Sequence, residues 1–185
     1  MKTLIVYGTR YGATAGTSEE IARVLREEGF DVTVVDANIT KIKTIADYEF
    51  IIVGNGMKFT GWTKGPKRFL KQFAQELKTK KLAVFVSSAA QVIHAFKHDE
   101  AEKERAWTKY LVEEVEKHEL KPIAMKIFGG WVNMETMGML DRRMGKFLVP
   151  ELEAAGIKEV NGVWDTRDWD TIRRWAKELA DMVRT

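Results

Sequence analysis

Five short apolar runs punctuate the chain: TLIVY (Thr3 to Tyr7), DVTVV (Asp31 to Val35), FIIV (Phe50 to Val53), LAVFV (Leu82 to Val86) and IAMKIF (Ile123 to Phe128). Each reads as a strand. Between them the apolar positions switch to helical spacing. Phe69, Leu70, Phe73 and Leu77 follow Pro66 at an expected first helical position, and Trp107, Leu111 and Val115 follow Asp99. The final stretch, DTRDWDTIRRWAKELADMV, sets Trp169, Ile172, Ala176, Leu179 and Val183 on one stripe and predicts a closing helix. Strand and helix alternate throughout, which predicts an α/β fold with a parallel sheet covered on both faces.

Polar interruptions rank the strands. Central parallel strands are buried on both faces and read as continuous apolar runs, whereas edge strands tolerate polar residues. The second run carries Thr33 and the fifth carries Lys126, so these two belong at the edges. The order 2-1-3-4-5 satisfies this and creates a switch point between strands one and three, where ligands bind beyond the carboxyl ends.

The loop at that point is Thr9-Arg10-Tyr11-Gly12-Ala13-Thr14, leaving the first strand and opening a helix. Successive backbone N–H groups and the Thr9 and Thr14 hydroxyls can converge there on one phosphate. A nucleoside-triphosphate loop would end in Gly-Lys-Ser/Thr and a dinucleotide loop would read G-x-G-x-x-G; neither spacing is present. The expected anion is a monophosphate.

Thr9, Gly12 and Thr14 resemble the phosphate loop of the flavodoxin family, whose pattern is Ser/Thr-x-Thr-Gly-x-Thr, with Tyr11 where that family usually has threonine. Ala15 to Ser18 looks like an addition of four residues, close to one helical turn, which lengthens the helix without rotating its apolar face. The likeness is greatest to the flavodoxin-domain branch that includes the menaquinone-dependent protoporphyrinogen dehydrogenases. It runs through the TRYGAT loop, the Gly129-Gly130 turn with a basic helix after it, and the Asp168-Trp169 start of the last helix.

The resemblance implies a flavodoxin-like three-layer doubly wound fold, with a five-stranded parallel sheet in one domain spanning residues 1–185. It also implies noncovalent FMN. The phosphate would lie on Thr9, Arg10, Tyr11, Gly12, Ala13 and Thr14. The isoalloxazine would lie between the loop Asn55-Gly56-Met57-Lys58-Phe59 with Trp62, and Ser87, Ser88 and Ala89 after strand four. Phe59 or Trp62 is the expected stacking aromatic. Gly129, Gly130 and Trp131 close the site, and the Met-rich segment after them would curl over the ring with Arg142, Arg143 and Lys146 as a basic edge.

Composition narrows the chemistry. The chain of 185 residues has no cysteine, which excludes disulfides, iron–sulfur clusters and thiol nucleophiles and leaves redox work to a cofactor. His94, His98 and His118 sit in no ligand motif, so no metal site is expected. The formal charge of +3, with basic and acidic residues interleaved, gives no nucleic-acid footprint. No run is apolar enough to span a bilayer and no signal peptide is visible, so a cytoplasmic protein is expected, peripheral membrane contact remaining open. A phosphoryl-receiver domain would need acids where Tyr7-Gly8-Thr9 and Gly54-Asn55 stand. Two functions remain: an FMN-dependent oxidoreductase acting on a small anionic or apolar substrate, quinone- or porphyrinogen-like, and an electron carrier docking on a redox partner protein. Family carriers are usually acidic around the flavin, and this mildly basic chain, with Lys58 in the ring loop, leans toward the enzyme.

Overall fold

In the computed structural model, which describes residues 1–57 and 61–184, the five apolar runs become β1 (Lys2–Gly8), β2 (Asp31–Asp36), β3 (Phe50–Gly56), β4 (Lys81–Ser87) and β5 (Ala124–Phe128). They form one parallel sheet in the order β2-β1-β3-β4-β5, with the two polar-interrupted strands at its edges. This is the flavodoxin-like doubly wound topology. Alternate residues of each strand serve opposite faces. Ile5, Phe50, Ile52 and Phe85 pack against α1 (Ala13–Glu27) and α7 (Trp169–Arg184) on one side. Leu4, Val6, Ile51, Val53 and Val84 pack against α2 (Lys64–Leu77) and the helical segment after β4 on the other. On the first face Trp175 meets Phe128 edge-on at 5.3 Å and Phe85 at 6.1 Å. Each such ring pair adds about 0.5–1.5 kcal/mol beyond area burial.

The helices correct two expectations. Pro66 is the third residue of α2, not the first; the helix begins at Lys64 because Gly65 lets its first turn press onto the backbone of Ala37. After α3 (Ala90–Phe96) comes α4 (Glu100–Trp107), capped by Asp99, whose carboxylate accepts from the Glu102 N–H at 3.0 Å. A π turn (Thr108–Val112) then precedes α5 (Glu113–Glu116). Across the π turn the five-residue spacing puts Ala106 and Leu111 on the buried side, while Trp107 is 38% exposed. Trp107 therefore stands off the core stripe that the sequence assigned it.

The chain after β5 builds a second layer that periodicity did not reveal. β6 (Trp131–Asn133), β7 (Glu159–Val160) and β8 (Val163–Asp165) form a small antiparallel sheet in the order β6-β8-β7. With α6 (Met139–Ala154) it encloses a satellite core of Ile93, Val132 and Leu152, joined by Met134, Met137 and Leu148. This layer covers the carboxyl end of the main sheet. Among the described residues no helix is long and apolar enough to cross a membrane.

Candidate functional site

The loop after β1 turns on Gly12, which adopts φ 98°, a left-handed conformation that glycine reaches without strain. Its N–H donates to the Thr9 hydroxyl at 2.9 Å, and α1 starts at the next residue. One side chain tethers the loop from behind. Asn38 donates to the Thr9 carbonyl at 3.0 Å while accepting from the Gly65 N–H, so the loop is tied to the start of α2. No acidic residue occupies the first turn of α1, and the positive end of the helix is left for an anion. The Thr14 hydroxyl, buried, points toward the end of β3: a Cβ on Gly56 would come within 2.8 Å of it.

A cavity of about 300 Å³ opens at this point. Of the residues expected from sequence, the structure brings Thr9, Arg10, Tyr11, Ala13, Thr14, Gly56, Met57, Ser87, Ser88, Ala89, Gly130 and Trp131 to its wall. Ser87 is 4% exposed; its hydroxyl is buried and, among the described residues, has no hydrogen-bond partner. An unpaired buried hydroxyl costs about 1–3 kcal/mol.

Other expected residues support the wall from elsewhere. Asn55 is wholly buried; its amide oxygen accepts from the Thr63 N–H and hydroxyl at 2.9 Å each, and its NH₂ donates to the Gly56 carbonyl at 3.0 Å. Its side chain clamps the two ends of the loop after β3. Gly129 packs on Thr166, where a Cβ would fall 2.0 Å from the carbonyl oxygen. Gly12 stands behind the cavity, its Cα side covered by Trp131. Trp62 does not reach the cavity. It is 8% exposed within the α2-side core, where its indole N–H donates to the Tyr110 carbonyl oxygen at 2.7 Å. Lys58 and Phe59 lie outside the described residues.

The remaining wall escaped the sequence reading as site residues: Tyr110 from the π turn, and Val132, Met137, Gly145 and Leu148 from the covering layer. Burial, with the charge of Glu102, raises the Tyr110 phenol above its ordinary range. The Met-rich segment does curl over the site, through Met137. The Arg142 guanidinium donates to the Glu135 and Met137 carbonyls, while Arg143 and Lys146 face solvent.

Arg167, between β8 and α7, is the other unanticipated residue. Its side chain is 6% exposed and stacks between Trp131 and Trp169, with its carbon 4.5 and 4.3 Å from the two ring centroids. It forks onto Asp165 at 2.8 and 2.5 Å and donates to the Ala13 carbonyl at 3.3 Å.

A doubly wound sheet with a monophosphate-type loop at its switch point defines a flavodoxin-like protein. The comparison with known families agrees: residues 4–155 match the flavodoxin domain, and the chain belongs to that family. FMN is the cofactor that membership brings. At full length the chain is similar to the protoporphyrinogen IX dehydrogenase [quinone] of Escherichia coli K12, 21% identical over 189 residues, covering 99% of this chain and 97% of that protein. Among solved structures it is similar to a flavodoxin from the domain Archaea, with a TM-score of 0.58, 15% identity and 100% of both chains covered. It is also similar to a WrbA-like flavodoxin from Agrobacterium tumefaciens, with a TM-score of 0.53, 16% identity, and 99% and 97% of the two chains covered. These two structures bear on the fold. Within this chain, the acid-free helix start at the cavity fits FMN, which needs an anion cradle at its phosphate end.

Proposed function

We propose that the chain is an FMN-dependent oxidoreductase that passes electrons to or from a flat, largely apolar substrate of quinone or porphyrinogen type. The observation that carries this is the apolar wall that Val132, Met137 and Leu148, with Tyr110, set across the cavity from the phosphate loop. Such a wall suits a flat apolar substrate.

In this reading the N–H groups of Arg10, Tyr11, Ala13 and Thr14 and the Thr9 and Thr14 hydroxyls hold the phosphate, while the Gly12 N–H braces Thr9. Gly56, Met57 and Ser87 to Ala89 bound the ring. When bound, FMN supplies electron and hydride exchange that the side chains cannot. The protein keeps water from the ring face through Met137, Leu148 and Trp131, and lets an apolar substrate replace that water at little cost. Exposed Arg143 and Lys146 on α6 favour an anionic substrate or partner surface. The similarity to the protoporphyrinogen IX dehydrogenase supports the same choice.

A second reading, an electron carrier for a protein partner, is favoured by the likeness to flavodoxins. One experiment separates the two. The FMN-loaded protein is reduced and offered either a soluble naphthoquinone or cytochrome c. Saturable quinone reduction that Leu148→Trp suppresses, with cytochrome c reduced slowly in both proteins, supports the oxidoreductase. Fast cytochrome c reduction with quinone turnover indifferent to Leu148→Trp supports the carrier.

A further inference from the structure

Arg167 lies beyond the stretch that matches the flavodoxin domain, and the redox reading assigns it no task. Burying a guanidinium is costly unless it is compensated. Here the compensation comes from a forked carboxylate of Asp165, the indoles of Trp131 and Trp169, and a backbone carbonyl on Nη1.

The partners converge on one short stretch. Arg167 donates to the Ala13 carbonyl oxygen. Trp131, held flat against the guanidinium, donates from its indole N–H to the Tyr11 carbonyl oxygen at 2.7 Å and lays its ring over Gly12, so that a Cβ there would sit 2.8 Å from it. The pair thus grips Tyr11, Gly12 and Ala13, three successive members of the phosphate loop. Gly16 provides the room, since a Cβ at that position would lie 2.6 Å from Nη1 of Arg167. Gly16 belongs to the four residues that the sequence shows as an added turn.

We infer that Arg167, acting through Trp131, is a positioning residue that holds the phosphate loop in its anion-binding conformation. The role is not simple attraction, because Asp165 already neutralises the guanidinium. A loop ordered before the ligand arrives spends less binding energy on ordering, and the gain falls on the phosphate rather than on the ring. The inference rests on the FMN reading.

The test compares wild type, Arg167→Lys, Arg167→Gln, Trp131→Phe and the Arg167→Gln/Trp131→Phe double variant. FMN and riboflavin affinities of each apoprotein are measured by fluorescence quenching. Wild type should prefer FMN. Arg167→Gln and Arg167→Lys should each cut that preference by about tenfold while riboflavin affinity holds, since an ammonium cannot stack and fork as a planar guanidinium does. Trp131→Phe, a milder change, should cut it in the same direction, and the double variant should lose no more than its worse parent, because both residues act on one loop. Preservation of the preference in both Arg167 variants overturns the inference, as does an equal fall for both ligands. A wild type that binds the two equally would remove the phosphate assignment itself, and the inference with it.

Discussion

The indole N–H of Trp62 donates to the carbonyl oxygen of Tyr110, joining the loop after β3 to the π turn across 48 residues of sequence. The bond turns a residue expected on the flavin into one that sets where a cavity residue stands. Trp62→Phe keeps the ring and removes the donor. Stability should drop by about 1 kcal/mol, the usual net worth of such a bond, measured by urea unfolding of the apoprotein. The absorption bands of bound FMN should stay in place; a clear band shift would return Trp62 to the ring.

The π turn makes a second prediction, because it decides which apolar residues are inside. Leu111→Ala should cost about 2–5 kcal/mol, as expected for a fully buried leucine. Trp107→Ala, at a half-exposed site, should cost less than about 1 kcal/mol. Equal losses would mean that a regular α-helix, with Trp107 and Leu111 on one stripe, runs through this segment.

Ser87→Ala should separate folding from ligand binding. Its hydroxyl is buried without a partner, so removing it should leave the apoprotein as stable as before or slightly more stable in thermal unfolding. FMN affinity should hold, since the hydroxyl is closed off from the cavity; a clear fall would place it on the ligand. An apoprotein strongly destabilised by the change would make the hydroxyl structural.

Glu20 on α1 provides the pH dependence. Hydrogen bonds from Arg23 and from Arg173 on α7, at 2.8 and 2.5 Å, hold its carboxyl down to about 2. A carboxyl whose folded value lies below its unfolded value contributes stability above the unfolded value, near 4.5, and loses it as pH falls toward 2. Glu20→Gln should therefore lower Tm at pH 7, and the gap to wild type should close between about pH 4.5 and pH 2. A constant gap across that range would assign the effect to packing.

The parts of this molecule that sequence displays are those with strong local signals. Each of the three central strands, β1, β3 and β4, is a run of apolar residues buried on both faces, so Ile5, Ile52 and Val84 announce themselves without knowledge of their neighbours. Gly12 and the flanking threonines mark the phosphate loop because a left-handed turn at a helix start permits few residue types. The π turn left no mark: Trp107, Leu111 and Val115 fit an α-helical stripe, and only the burial of Ala106 reveals the five-residue step. β7 and β8 are two and three residues long, too short for an alternating pattern to register. Arg167 reads as one more charge in an aspartate-rich stretch, since Trp131 and Ala13, which make it an interior residue, lie far away along the chain.

The cavity wall has a near side and a far side. Apart from Tyr110, everything on the far side of the ring site comes from the continuous segment 130–148, while the phosphate loop and the ends of β3 and β4 supply the near side. In the proposed reading, selectivity for the electron acceptor falls to the far side and retention of the cofactor to the near side together with Trp131. A segment transplanted between family members from Val132 to the end of α6, with Trp131, Thr166 and Arg167 kept as its anchors, should carry substrate preference with it and leave the flavin where it was.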